Sequence, residues 1–131
     1  TKREANKLGI PYGKVADPLG EAVKRCYALL DYARYEGKYL LFLLSFAKAV
    51  NSEGIRAETD RGLKQIVERA GLSWQKAKGE LSNKNWISET DANLAEMNRQ
   101  GLWGVPGIQY KDITDWGQDR LGRVEARICS E

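Results

Sequence analysis

Hydrophobic residues recur at spacings of three and four over most of the chain, which predicts helices with one buried face. The opening TKREANKL reads as the end of a helix stopped by Gly9, and GIPYGKVADPLG as the loop after it. From about Pro18 or Leu19 to Glu36, the residues Ala22, Val23, Cys26, Leu29, Leu30 and Ala33 form one apolar stripe, which Gly37 ends. Lys38 to Asn51 is apolar nearly all round and is expected as a buried core helix closed by Gly54. Thr59 is placed to cap a third helix whose Leu63, Ile66, Val67 and Ala70 face inward, with Gly71 at its end. Ser73 caps a short helix through WQKAKGEL, and a longer one follows over about Asn85 to Gln100, with Trp86, Ile87, Leu94 and Met97 as inward residues.

After Gly101 the period changes. PGIQY and ITDW are two short β-prone pieces separated by Lys111 and Asp112, a spacing that suits a tight hairpin. Proline cannot donate to a sheet ladder, so the first strand should start after Pro106. GQDRLGRVEARI returns to helical spacing through Leu121, Val124 and Ile128, with Asp119 expected in the first turn, where the helix dipole favours an acid. A single hairpin does not hold itself together in water, so these last elements need the bundle or further strands.

At 131 residues the chain suits one domain with its own core, and 42% apolar with 30% charged residues is the balance of a folded protein. The 21 basic and 18 acidic residues are interspersed and net only +3, which argues against a nucleic-acid footprint. No apolar run approaches the ~20 residues that span a bilayer, and the polar start carries no signal sequence. With no histidine in the chain, His-based metal sites and Ser-His-Asp or Cys-His mechanisms are excluded within it. Cys26 and Cys129 form no C-x-x-C pair, which fits a reducing compartment, with cytoplasm the default. Cys26 lies on an apolar helix face beside Leu29 and Leu30, where a free cysteine usually serves as a small hydrophobe.

Two short stretches carry candidate chemistry. In GVP, Val105 and Pro106 stand at a turn into a strand, where a cis peptide is cheap enough to occur. It would present the main chain of Val105 as a strand-like edge to a peptide or thiol ligand; the same residues also read as an ordinary loop proline. In WGQDR, Gln118 and Asp119 open a helix whose first N–H groups can receive an anion, while Asp119 offers a countercharge to an amino group. An α-amino acid carries both charges. Asp119 serving only its own helix is the plainer alternative.

Together GLWGVP, the hairpin and WGQDRL resemble the C-terminal signature of the DsbA-like branch of the thioredoxin fold, and within it the 2-hydroxychromene-2-carboxylate isomerases, relatives of the kappa-class glutathione transferases. IPYGKVADPLGEAVKRCYALL and GLKQIVERAGLSWQKAK resemble the helical insertion of that family, so the likeness covers essentially the whole chain. The resemblance implies a mainly α fold. Residues 1–17 would be the end of a helix and a loop leading out of a thioredoxin half, 18–101 an all-helical insertion, and 102–131 the closing β-hairpin and last helix of the thioredoxin-like domain. It also implies that the first β-α-β unit, with the serine of the isomerases or the C-x-x-C of the oxidoreductases, lies before Thr1, so that no catalytic residue is expected in this chain.

Carried over by motif, Val105 and Pro106 would hold the cysteinyl part of glutathione, and Gln118 and Asp119 its γ-glutamyl end. The implied parent activity is a glutathione-dependent isomerase or transferase acting on a small aromatic or hydrophobic substrate. A DsbA-type thiol–disulfide oxidoreductase and a non-enzymatic helical module that associates with itself, as a homodimer or larger, are the alternatives. Neither nucleic acid nor membrane is an expected partner.

Overall fold

The computed structural model describes residues 2–16 and 19–130. By the density of its internal contacts the chain divides into two compact units, 1–86 and 87–131, and the division falls within a helix.

In the first unit, α1 (Lys2–Lys7) ends at Gly9, whose φ of +65° suits a residue without a Cβ. The segment after it runs along the end of the fourth helix: the Ala16 N–H donates to the Val50 carbonyl at 2.8 Å, and Lys14 pairs with Glu53 in an isolated parallel bridge. Pro18, one of the two residues at which the sequence pattern starts the next helix, lies outside the described residues. That helix is two helices, α2 (Glu21–Ala28) and α3 (Leu30–Tyr35), interrupted at Leu29, whose side chain is nevertheless fully buried. The apolar stripe is therefore real, but one period does not run through it.

The next helix, α4 (Tyr39–Asn51), packs on α5 (Asp60–Arg69) through Phe42, Val50, Leu63, Ile66 and Val67, all essentially inaccessible to solvent. Burying each such side chain contributes about 1.5–3 kcal/mol, so this seam is the main source of the unit's stability. The expectation that α4 is buried all round is corrected. Its Leu40, Leu41 and Leu44 are each more than half exposed, because neighbours cover only one side of the helix. Both expected caps form: the Thr59 hydroxyl accepts from the Gly62 N–H at 3.1 Å, and Ser73 caps α6 (Trp74–Glu80). Trp86, at the unit's end, stacks on Tyr27 with ring centroids 5.5 Å apart.

The helix carrying Trp86, α7 (Asn85–Arg99), contains no buried residue. Ile87 and Leu94, expected to face inward, are exposed at 41% and 58%. In the second unit the chain turns at Gly101, and β1 (Gly107–Tyr110) and β2 (Ile113–Trp116) form the expected antiparallel hairpin around Lys111 and Asp112. Gly107 faces Trp116 and Ile108 faces Asp115 in register. A 3-10 turn (Gln118–Arg120) leads into α8 (Leu121–Cys129), so Asp119 precedes that helix rather than standing in its first turn. Val124 is buried, whereas Leu121 and Ile128 are about half exposed.

Candidate functional site

Two loops of the second unit carry the four candidate residues. The first is Trp103 to Pro106. The Val105–Pro106 peptide bond is cis, and Val105 is 78% exposed. Gly104 lies against the indole of Trp116: a Cβ built there would stand 2.6 Å from a ring carbon, so no larger residue fits unless the ring moves. The Trp116 ring in turn meets that of Trp103 at 4.1 Å between centroids, holding an exposed indole beside Val105 in sequence.

The second loop is Gly117 to Arg120. Gly117 has φ of +95°, a conformation that favours glycine, and a Cβ there would also come within 2.6 Å of Asp119 Oδ1. The Gly117 N–H donates to the Pro106 carbonyl at 3.0 Å. That bond closes the open end of the hairpin and brings the main chain of Val105 and Pro106 next to Gln118 and Asp119. All four residues face solvent. A main-chain edge, an amide, a carboxylate and the start of a helix thus border one exposed surface.

One member of this region escaped the sequence reading. Asp115 on β2 is the only buried charged residue among those described, at 5% exposure. Its Oδ1 accepts from the Trp116 N–H at 3.1 Å and from the Arg120 guanidinium at 3.3 Å. Its Oδ2 lies 3.4 Å from the Arg123 guanidinium, near enough for charge attraction but without hydrogen-bond geometry. The acid in ITDW followed by arginines five and eight residues later was the available signal, visible only once the hairpin is folded against α8.

Elsewhere the chemistry is sparse. Burial pushes the Cys26 thiol up to about 12, which removes it as a nucleophile at neutral pH. No cluster of acids and cysteines able to hold a metal ion occurs among the described residues, and no helix among them is long and apolar enough to cross a membrane. A cavity of about 320 Å³ in the first unit is lined by Lys14, Arg56 and Glu58 among others, and by none of the candidate residues.

A helix-rich chain that closes on a proline-led hairpin and a final helix is consistent with one class of protein, the thioredoxin-fold proteins. Within that class, the DSBA-like thioredoxin domain profile matches residues 2–128, and the chain belongs to that family. Its fold is similar to that of a solved structure described as 2-hydroxychromene-2-carboxylate isomerase, with a TM-score of 0.72 at 20% identity. The match covers 98% of this chain and 62% of that one. No curated protein matches the sequence.

Proposed function

We propose that this chain forms the helical and C-terminal part of a glutathione-dependent isomerase or transferase similar to 2-hydroxychromene-2-carboxylate isomerase, with the reacting nucleophile supplied from outside the chain. The observation that carries the reading is the Gly117 to Pro106 hydrogen bond, which sets a main-chain edge beside Gln118 and Asp119. The donor set fits glutathione: Asp119 suits its α-ammonium, the N–H groups opening the last helix suit its α-carboxylate, and the Val105 main chain suits its cysteinyl unit. Bound glutathione would supply a thiol that adds reversibly to a double bond, permitting isomerisation before elimination. The part of this chain is to bind and orient. A small aromatic or hydrophobic substrate in a reducing, cytoplasmic compartment completes the proposal.

Calorimetric titration with glutathione tests it. Binding that weakens about tenfold or more in Asp119→Ala, the loss of one charge-assisted contact, is the expected result. Binding indifferent to Asp119 sinks the site assignment, and isomerisation by the chain alone sinks the placing of the nucleophile elsewhere.

Two other readings have an observation each. The DSBA-like family match is equally compatible with a thiol–disulfide oxidoreductase, which a C-x-x-C in the segment supplying the nucleophile would favour and a lone serine there would dismiss. The hairpin is a two-stranded sheet whose outer edges find no third strand among the described residues, and such edges recruit partners, which favours self-association. A monomeric mass in light scattering at high concentration would dismiss that reading.

A further inference from the structure

Placing a carboxylate out of water is costly unless cations compensate it, so the burial of Asp115 between two arginines of the final helical segment calls for a reason. Arg120 directly follows Asp119, and Arg123 lies one turn further along α8. Both guanidinium groups are turned back to β2, at 3.3 and 3.4 Å from the Asp115 oxygens. Remove Asp115, and the carboxylate next to Arg120 in sequence is Asp119, the group assigned above to the ligand's ammonium.

We infer that Asp115 is a positioning residue of the amino-acid-binding end of the site: it holds Arg120 on β2 and so keeps Asp119 available to an ammonium ligand. The inference rests on the glutathione reading for its ligand, but the device itself is a property of the unliganded chain. Its logic is competition between two cations for one carboxylate. Arg120 is about half exposed, so its guanidinium is free of the packing that would confine it to one partner, and the nearly inaccessible Asp115 attracts it more strongly than the exposed Asp119 because water screens it less. Asp115 also accepts the Trp116 N–H, so the residue that holds the arginine is anchored to the strand that leads into Gly117.

The full chain, titrated with glutathione and with cysteinylglycine, which lacks the γ-glutamyl end, gives the test. In Asp115→Ala, glutathione affinity falls about tenfold, the equivalent of one charge-assisted contact, while cysteinylglycine affinity is unchanged. Adding Arg120→Gln to that variant restores the glutathione affinity of Arg120→Gln alone, which a purely structural role for Asp115 would not allow. Equal weakening of both ligands, or a double variant no better than Asp115→Ala, overturns the inference. Should the unaltered chain bind no glutathione, the proposed function fails, and the device is read separately by NMR of the Arg120 Nε–H. That signal stays ordered in Asp115→Ala and becomes mobile in Asp115→Ala with Asp119→Ala. Mobility already in the single variant refutes the transfer of Arg120 to Asp119.

Discussion

Replacing Arg69 with alanine removes the polar link between α4, α5 and the turn after α4. The Arg69 Nε–H donates to the Ser45 hydroxyl at 2.9 Å, one terminal nitrogen donates to the Ser45 carbonyl at 2.7 Å, and the other meets Glu53 at 2.6 Å. Ser45 is itself buried and donates to the Ile66 carbonyl at 2.8 Å, a bond that survives the substitution and leaves no hydroxyl stranded. Hydrogen bonds to a charged group are worth about 1.5–3 kcal/mol each when well shielded. The Arg69 side chain is about a third exposed, so water recovers part of that value. A net loss of about 2–3 kcal/mol at pH 7 follows, which moves the urea midpoint by about 1–1.5 M for a slope near 2 kcal/mol/M.

The same contact has a pH signature. The hydrogen bond from Arg69, aided by the charges of Arg69 and Lys48, holds the Glu53 carboxyl below its ordinary value. A carboxyl depressed in the folded state contributes stability that is fully present above its unfolded value, about 4.3, and is lost as pH falls through its folded value. The gap between the unaltered protein and Arg69→Ala therefore narrows between about pH 5 and pH 3, although Lys48, 3.6 Å from Glu53, keeps part of the effect in the variant. Urea denaturation followed by helix circular dichroism at pH 7, pH 5 and pH 3 measures it. A gap under about 0.5 kcal/mol at pH 7, the scatter of an ordinary surface substitution, refutes the network's role. A gap that does not change with pH refutes the Glu53 component.

Three further outcomes are expected. Gly62→Ala destabilises the protein, because its Cβ would stand 2.1 Å from the Arg56 carbonyl, whereas Gly122→Ala, in open space within α8, stabilises it by about 1 kcal/mol; denaturation midpoints moving in the same direction would be the wrong result. In native buffer one of the two cysteines, the exposed Cys129, reacts promptly with a thiol reagent and the buried Cys26 only after unfolding, so two prompt thiols would contradict the burial. Gly104→Ala displaces the Trp116 indole and abolishes the near-ultraviolet circular dichroism of the Trp103–Trp116 pair, and an unchanged spectrum would show that the close approach is absent.

Features encoded within a few residues were legible beforehand. Thr59 and Ser73 cap their helices, Gly9, Gly37, Gly54 and Gly71 adopt positive φ beside helix ends, and the strands around Lys111 and Asp112 pair as the spacing predicts. Each depends on hydrogen bonds or sterics among near neighbours in the chain, which residue identity largely dictates. The candidate residues Val105, Pro106, Gln118 and Asp119 were also legible as two separate motifs. That the two motifs lie together was implied only by resemblance to a family, and the Gly117 to Pro106 bond that joins them emerges only in the folded chain.

Residue identity thus dictated the caps, the glycine stops and the hairpin turn, and marked which residues could do chemistry, but not the break at Leu29 or the 3-10 turn that holds Asp119 ahead of the last helix. It did not determine which apolar faces would be covered. Leu44 and Phe42 lie in the same apolar helix, yet one is 59% exposed and the other fully buried, because α5 packs on one side of α4. Asp115 shows the reverse case: a polar residue that local pattern assigns to no role becomes the buried partner of two arginines when β2 and α8 come together. Period reports how a segment can be amphipathic, but burial is a property of the neighbours a segment acquires, and those are set when distant parts of the chain pack together.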